Sequence, residues 1–420
     1  MMKYFFSFLL LLIAGSVYPQ KELKFEVHSG DYERINTPVS IEINQFKESE
    51  LSSLFLFETT GGVKSQIPAQ VEQEYKTRLW FTLKGTTKPS TTRTFLISSN
   101  QAPTEFENIR IEKDDKILKI KSGDKNILQY NQAEVYPPEG VKEIYKRSAF
   151  LHPVWSPDQQ VLTRIQPPDH YHHYGIWNPW TRTKFQGRQV DFWNLAEGQG
   201  TVRFKGFLSF TEGPVFGGFK AHQEHIDFTS DQDEVVALNE EWDIRVWNIL
   251  TEKKVWLVDF TSTLNCATDD GILFFKYRYG GGIGYRATEL WGKDNSSVLT
   301  SEGKTRDEAD ATRARWCIIK GETQSEEGHS GILFMSNPQN REHPEPMRMW
   351  PSNDHKGKAN MFFMFTPIRD NKWELAPGKN YVLRYRLLVF DGELSSAEAE
   401  RYWNDFALSL IHISEPTRPS

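Results

Sequence analysis

Apolar and polar residues alternate in short runs along most of this chain. The runs at 23–28, 39–43, 54–57, 79–83 and 95–98 each read as a strand with one face buried. Turn-rich segments separate them, among them Ser29-Gly30-Asp31 and the stretches 59–62 and 86–91. This spacing predicts a small β-sandwich over 21–105, ending in a linker at 101–105 that contains Pro103. A meander of three runs, 109–112, 117–121 and 127–130, opens a second unit over 106–407.

After the meander the alternation stops, from 137 to 199. Irregular stretches of that length are uncommon unless they carry function. Longer runs then follow at 201–211, 222–228, 235–247 and 254–265. In 235–247, Asn239, Glu241 and Asp243 share one face, and Leu238, Trp242, Ile244 and Val246 share the other. In 254–265, Asp259, Thr261 and Thr263 are set against Val258, Phe260 and Leu264. Such a polar face either meets solvent or lines a cleft. Further strands are expected at 272–279, 315–320, 330–336, 359–366 and 381–390. One helix is predicted near the end: Ser395-Ser396-Ala397-Glu398 is a capping box, followed by Ala399, Trp403 and Phe406 at helical spacing. The expected fold is all-β: a small N-terminal β-sandwich, a large antiparallel β-sandwich, and one C-terminal helix.

Composition supports this picture. The 420 residues include 13 Trp and 28 Phe, which suits strands. A net charge of −6 with 25% charged residues gives no basic footprint, so nucleic acid is not an expected partner. Lys3, the apolar run 4–13 and Ala14-Gly15-Ser16 read as a signal peptide over 1–20. The mature chain is therefore expected in the periplasm or outside the cell. No later run is long enough for an integral membrane span. Two cysteines, Cys266 and Cys317, do not make a disulfide scaffold, and their pairing stays open. Residues 408–418 read LSLIHISEPTR, which resembles the translation of a transposase-type sequencing adapter. We therefore leave 408–420, with His412, out of the fold reasoning.

The irregular stretch holds the densest candidate chemistry. His152, Asp169, His170, His172 and His173 lie there, among Trp155, Trp177 and Trp180. Pro167 and Pro168 forbid a regular helix or central strand, so the histidines belong to a shaped loop. Imidazole transfers protons near neutral pH, and a carboxylate such as Asp169 or Glu241 can fix its tautomer. The spacing matches no standard metal motif, so no cofactor is expected, though a divalent metal on His170, His172 and His173 stays open. Structural histidines bonded to backbone are the third alternative.

Two further segments qualify as binding elements. Tyr279-Gly280-Gly281-Gly282-Ile283-Gly284-Tyr285-Arg286 lacks the strand–helix context of a dinucleotide loop. It reads instead as a strand end where backbone approaches closely, with Arg286 and Glu289 beyond it. In Arg313-Ala314-Arg315-Trp316, as in 345–350 with Arg348 and Trp350, an Arg beside a Trp suits a sugar-binding wall or a packed core. No nucleophile elbow is present.

With these motifs, 106–407 resembles a bacterial domain-of-unknown-function family sometimes labelled methane oxygenase PmoA. The resemblance rests on His152-Pro153, the block from Pro167 to Gly175, Gly281-Gly282-x-Gly284-Tyr285-Arg286 and the segment from Arg313 to Trp316. It implies site positions at His152, Asp169, His170, His172, His173, Arg286 and Arg315, without established roles. At the level of fold the chain is similar to galactose-mutarotase-type β-sandwich proteins, which implies a sugar-acting site of His and carboxylate. The expectation is thus an exported carbohydrate-active protein using His170, His172 or His173 with Asp169 or Glu241, its sugar held by Trp177, Arg286, Glu289, Arg315 and Trp316. A non-catalytic carbohydrate-binding protein and a metal-dependent oxygenase or hydrolase are the alternatives. Epimerisation, hydrolysis and elimination all stay open, as does the oligomeric state.

Overall fold

A computed structural model describes residues 22–99, 104–231, 234–249 and 255–407, and the backbone of 412–414. The expected signal peptide and most of the adapter-like tail lie outside these residues. The fold is all-β, as the alternation predicts.

The N-terminal unit is a sandwich of a five-stranded and a three-stranded sheet. Leu23–His28 pairs with Thr92–Ser98 on one side and with the short strand His412–Ser414 on the other. Phe25, Phe81 and Phe95 stack in the core with Ile41, Leu56 and Ile97. Two strands, Val63–Ile67 and Ala69–Gln73, have no counterpart in the sequence reading. Neither buries a side chain fully, so neither shows an alternating apolar face.

The large unit stacks an eight-stranded antiparallel sheet on a nine-stranded one. The eight-stranded sheet runs Gly200–Thr211, Phe216–Asp227, Val235–Trp247, Val255–Cys266, Tyr381–Asp391, His329–Ser336, Trp316–Glu322 and Ser296–Thr300. Along Val235–Trp247, Glu240, Trp242, Ile244 and Val246 are buried, while Asn239, Glu241 and Asp243 stay partly exposed. The buried row packs with Leu118, Ile120, Leu151, Ile176, Tyr285 and Phe363 of the nine-stranded sheet in one continuous core. The polar row faces away from that core, where Arg245 pairs with Glu72 at 2.6 Å and Lys220 with Glu74 at 2.6 Å. That face therefore meets the N-terminal unit and solvent, not a cleft under the histidine loop.

The helix Ser396–Ala407 begins at the capping box, with Ser395 N donating to Glu398 at 3.0 Å and Glu398 N to Ser395 Oγ at 3.3 Å. It buries Ala399, Tyr402, Trp403 and Phe406 against the outside of the eight-stranded sheet. Buried Arg34 reaches from the N-terminal unit to Asp405 of this helix at 3.1 Å. Cys266 and Cys317 are both free and buried. Burial alone pushes the Cys317 thiol far above its usual range.

Glu345, in the same continuous interior, carries a pH-dependent term. Burial raises its carboxyl to about 7 although Ser336, Asn340 and Tyr385 all donate to it. The folded state then holds this proton more tightly than the unfolded chain, whose value is 4.5. Stability from this group is fully present below pH 4.5, falls as pH rises to about 7, and is flat above. The expected loss across that window is about 3 kcal/mol. Urea denaturation at pH 5 and pH 8 checks it: Glu345→Gln should flatten this slope, and an unchanged slope refutes the assignment.

Candidate active site at the histidine loop

Hydrogen bonds shape the histidine loop where the prolines prevent regular structure. His170 N donates to Pro167 O at 2.8 Å and His173 N to His170 O at 3.0 Å, making two consecutive turns. Gln166 N closes the loop on His173 O at 2.8 Å. Gly175 then returns the chain to the sheet, accepting from Arg286 N at 2.8 Å. Its φ is +63°, and a Cβ there would lie 2.3 Å from the Leu151 carbonyl oxygen. Gly175→Ala should therefore cost about 2 kcal/mol or more, because both the dihedral and the approach exclude a side chain. Thermal denaturation checks this, and a shift within error overturns it.

The loop lies on the outer face of the nine-stranded sheet. Neighbouring strands there are Phe150–Val154, Ile176–Trp177, Gly284–Arg286, Phe362–Phe365 and Glu345–Met349. Their register places Trp177 beside Gly284, Gly284 beside Met364, and Arg286 beside Phe362. Ile176, Tyr285 and Phe363 point into the main core. Phe150, Trp177, Phe362 and Met364 point out, joining Tyr174, Trp193 and Trp350 in a separate aromatic cluster. This second apolar face is what the loop covers.

Four imidazoles gather on that aromatic floor. The His170 ring centroid is 4.7 Å from His173, 5.4 Å from His172 and 4.9 Å from His355. Trp350 lies 4.8 Å from His170 and 4.3 Å from His355. His173 stacks on Phe362 at 4.9 Å, and His172 meets Trp193 edge-on at 5.4 Å. Asp169 accepts from His170 Nδ1 at 3.0 Å and from Arg286 Nη2 at 2.8 Å. The Arg286 guanidinium also lies over the Trp350 ring at 4.7 Å. Tyr279 OH accepts from Arg348 at 2.9 Å and from Trp350 Nε1 at 3.2 Å, which closes the opposite wall.

The electrostatics are uneven. Burial alone would raise the Asp169 carboxyl, but the hydrogen bonds from His170 and Arg286 outweigh it and hold Asp169 far below the usual range. Burial lowers His172 to about 3 and His173 well below its usual value. It lowers His355 as well, helped by the neighbouring His170. Burial also lowers Arg286, only partly offset by Asp169. The site thus holds one charge-balanced pair, Asp169 with Arg286, beside the His172, His173 and His355 imidazoles, which burial disfavours as cations. Neutral imidazole can accept a proton, donate a hydrogen bond or ligate a metal.

Among the described residues, His170 Nδ1 is the one ring nitrogen of these four with a hydrogen-bond partner. His173 Nδ1, Trp177 Nε1 and Arg286 Nε and Nη1 are buried without partners. Among the described residues, none of these four rings is hydrogen-bonded to backbone through a ring nitrogen. Asp169, His170 and His355 each offer one donor atom, all within 4.8 Å of one another, so they form the trio able to hold a metal ion. His170 is the one histidine this trio shares with the set read from sequence.

Several sequence-derived candidates lie elsewhere. Glu241 is on the exposed face of the eight-stranded sheet, so both sheets stand between it and the imidazoles. Its neighbour Glu240 points inward and reaches the loop segment through Asn178 at 2.5 Å. Arg315 and Trp316 both bind Glu400 of the C-terminal helix, and Arg315 stacks on Trp403 at 4.7 Å. They are packing residues, not a sugar-binding wall. Glu289 is exposed and pairs loosely with Arg164 at 3.8 Å. His152 lies on the loop's side of the sheet, beside Gly175. Its Nδ1 bonds Thr163 at 2.9 Å, and burial lowers it to about 4. It borders the cluster without entering it. Trp177 forms the floor beneath His173, at 5.4 Å, and is fully buried. His355 escaped the sequence reading because it is alone in the turn 353–357, which alternation does not mark.

The sequence profile of a family of unknown function (DUF6807) matches residues 118–404. No curated protein matches the chain. Among solved structures, a protein in glycosyl hydrolase family 38 from Enterococcus faecalis is similar, with 10% identity and a TM-score of 0.39. The alignment covers 96% of this chain and 48% of that one, so this chain spans about half its length. No helix among the described residues is long and apolar enough to cross a membrane.

Proposed function

This chain belongs to DUF6807, a family of unknown function, and from that premise we propose an exported carbohydrate-active enzyme working by imidazole–carboxylate proton transfer. The observation that carries this reading is the convergence of His170, His172, His173 and His355 with Asp169 and Arg286. His170 is the proton-transfer group. Asp169 receives its Nδ1–H, which fixes the tautomer and leaves Nε2 to act. Arg286 holds Asp169 in place from beneath, and is itself too buried to touch a substrate. His172 and His355 flank the reacting position as neutral hydrogen-bonding groups. Asp169 and His355 are exposed and His170, His172 and Tyr279 partly so, a set of side chains suited to hydroxyl-rich ligands more than to apolar ones.

A metal-dependent enzyme is the second reading. It is favoured by the donor trio Asp169, His170 and His355, since two imidazoles and one carboxylate are a common set for a first-row divalent metal. One experiment separates the readings. Tag-free protein is analysed for metal, then assayed on a saccharide panel before and after chelation. Turnover that survives metal removal supports proton transfer by His170. Turnover lost with a stoichiometric metal supports the trio. Saccharide binding without turnover makes the protein a binding module, and no binding to any saccharide refutes the carbohydrate reading.

A further inference from the structure

The segment 275–282 leads into the strand that carries Arg286, and it bears a row of aromatic and cationic groups beside the imidazole cluster. Tyr279 belongs to the site: its ring is 5.6 Å from Trp193 and its hydroxyl binds Trp350 and Arg348. Two residues earlier, the Tyr277 ring lies 5.8 Å from Tyr279 and extends the wall outward. Each ring carries a guanidinium. Arg182 lies 3.9 Å over Tyr277, and Tyr279 has Arg348 at 4.8 Å and Arg278 at 5.2 Å from its ring centre.

These two arginines differ from the others in this region. Arg348 and Arg369 are both tied to Asp310, and Arg313 to Asp370. Arg182 and Arg278 are exposed, and among the described residues neither side chain has an ion pair or hydrogen-bond acceptor. Lys276, next to Tyr277 in sequence, is exposed as well and forms no ion pair among the described residues. Stacking occupies the face of a guanidinium and holds its plane still. Its edge keeps the forked N–H donors that match a carboxylate or sulfate bidentately. Two guanidiniums on neighbouring rings, without counter-charges, also repel each other unless an anion joins them.

We propose that Arg182 and Arg278, stacked on Tyr277 and Tyr279, form a subsite for an oxyanion-bearing saccharide, so that the substrate is an acidic glycan. This inference rests on the carbohydrate reading above and names its substrate class. The charged group binds the two guanidinium edges, and the adjoining sugar unit reaches His170 and Asp169. Uronate carboxylates and sulfate esters present the same chemistry, and the test distinguishes them.

The probes are an oligogalacturonate, a sulfated galactan oligosaccharide and a neutral malto-oligosaccharide, titrated calorimetrically against the full chain. At least one acidic probe should bind about 10-fold or more tighter than the neutral one, and its affinity should fall with added salt. Arg182→Gln with Arg278→Gln should weaken that acidic probe about 10- to 100-fold and leave the neutral probe unchanged. The stronger of the two acidic probes identifies the oxyanion. Equal binding of acidic and neutral probes, or unchanged binding in the double variant, overturns the subsite and leaves the carbohydrate reading standing. Failure of all three probes overturns both. Circular dichroism of the double variant guards against misfolding, which is not expected for two exposed side chains.

Discussion

Glu240→Ala is expected to destabilise the fold by about 3–5 kcal/mol, the largest effect of any single substitution considered. The carboxylate is fully enclosed between the two large sheets. It accepts from Asn178 Nδ2 at 2.5 Å, Ser262 Oγ at 2.5 Å, Trp242 Nε1 at 2.8 Å and His225 Nε2 at 2.8 Å. Burial raises its carboxyl, but the bonds from His225, Ser262 and Trp242 more than offset this and lower it. Alanine would strand four buried donors and leave a void, and each unmet donor costs about 1–3 kcal/mol before relaxation. Because the folded value is depressed, the ionised form stabilises the fold above pH 4.5, and this is lost as pH falls through the folded value. Denaturant unfolding at pH 7 is the measurement. A loss below about 1 kcal/mol would show that this network does not tie the loop segment to the sheet.

His170→Ala is expected to lower turnover about 10²- to 10⁴-fold, the range for removing a positioned acid–base group. Its ring is partly exposed and its one hydrogen bond goes to Asp169. Stability should therefore change by less than about 1 kcal/mol. Asp169→Asn should lower turnover while leaving the imidazole present, and it also strands buried Arg286. Arg315→Ala is the contrast: it should weaken docking of the C-terminal helix through Glu400 and Trp403 and leave turnover unchanged. Steady-state kinetics beside thermal denaturation reads both effects. Full activity in His170→Ala would remove His170 from the mechanism.

The candidate site was legible in part. Its centre came through because Pro167 and Pro168 interrupt the strands just where Asp169, His170, His172 and His173 are packed together. Arg286 was found because Gly280, Gly281 and Gly282 mark a close approach, and a Cβ on Gly281 would lie 2.2 Å from Trp180. The wrong choices share a cause. Glu241 and Glu240 are adjacent, and period-2 alternation sends one to each face of the sheet. Alternation shows which residues share a face, not what that face meets. Arg315 and Trp316 look like a binding pair in one dimension, yet the helix Ser396–Ala407 packs over them.

The sequence by itself determined the all-β class, the long strands of the eight-stranded sheet and the capped C-terminal helix. Those features rest on local alternation and local capping, which neighbours along the chain express directly. Tertiary structure alone decided that the histidine loop covers the outer face of the nine-stranded sheet. It alone brought His355, Trp350 and Tyr279 to His170, from turns and strands more than a hundred residues away in sequence. Side chains that meet only through strand order leave no periodic trace. The register of Gly284–Arg286 between Ile176–Trp177 and Phe362–Phe365 is a long-range choice of the whole fold, and that register makes the site.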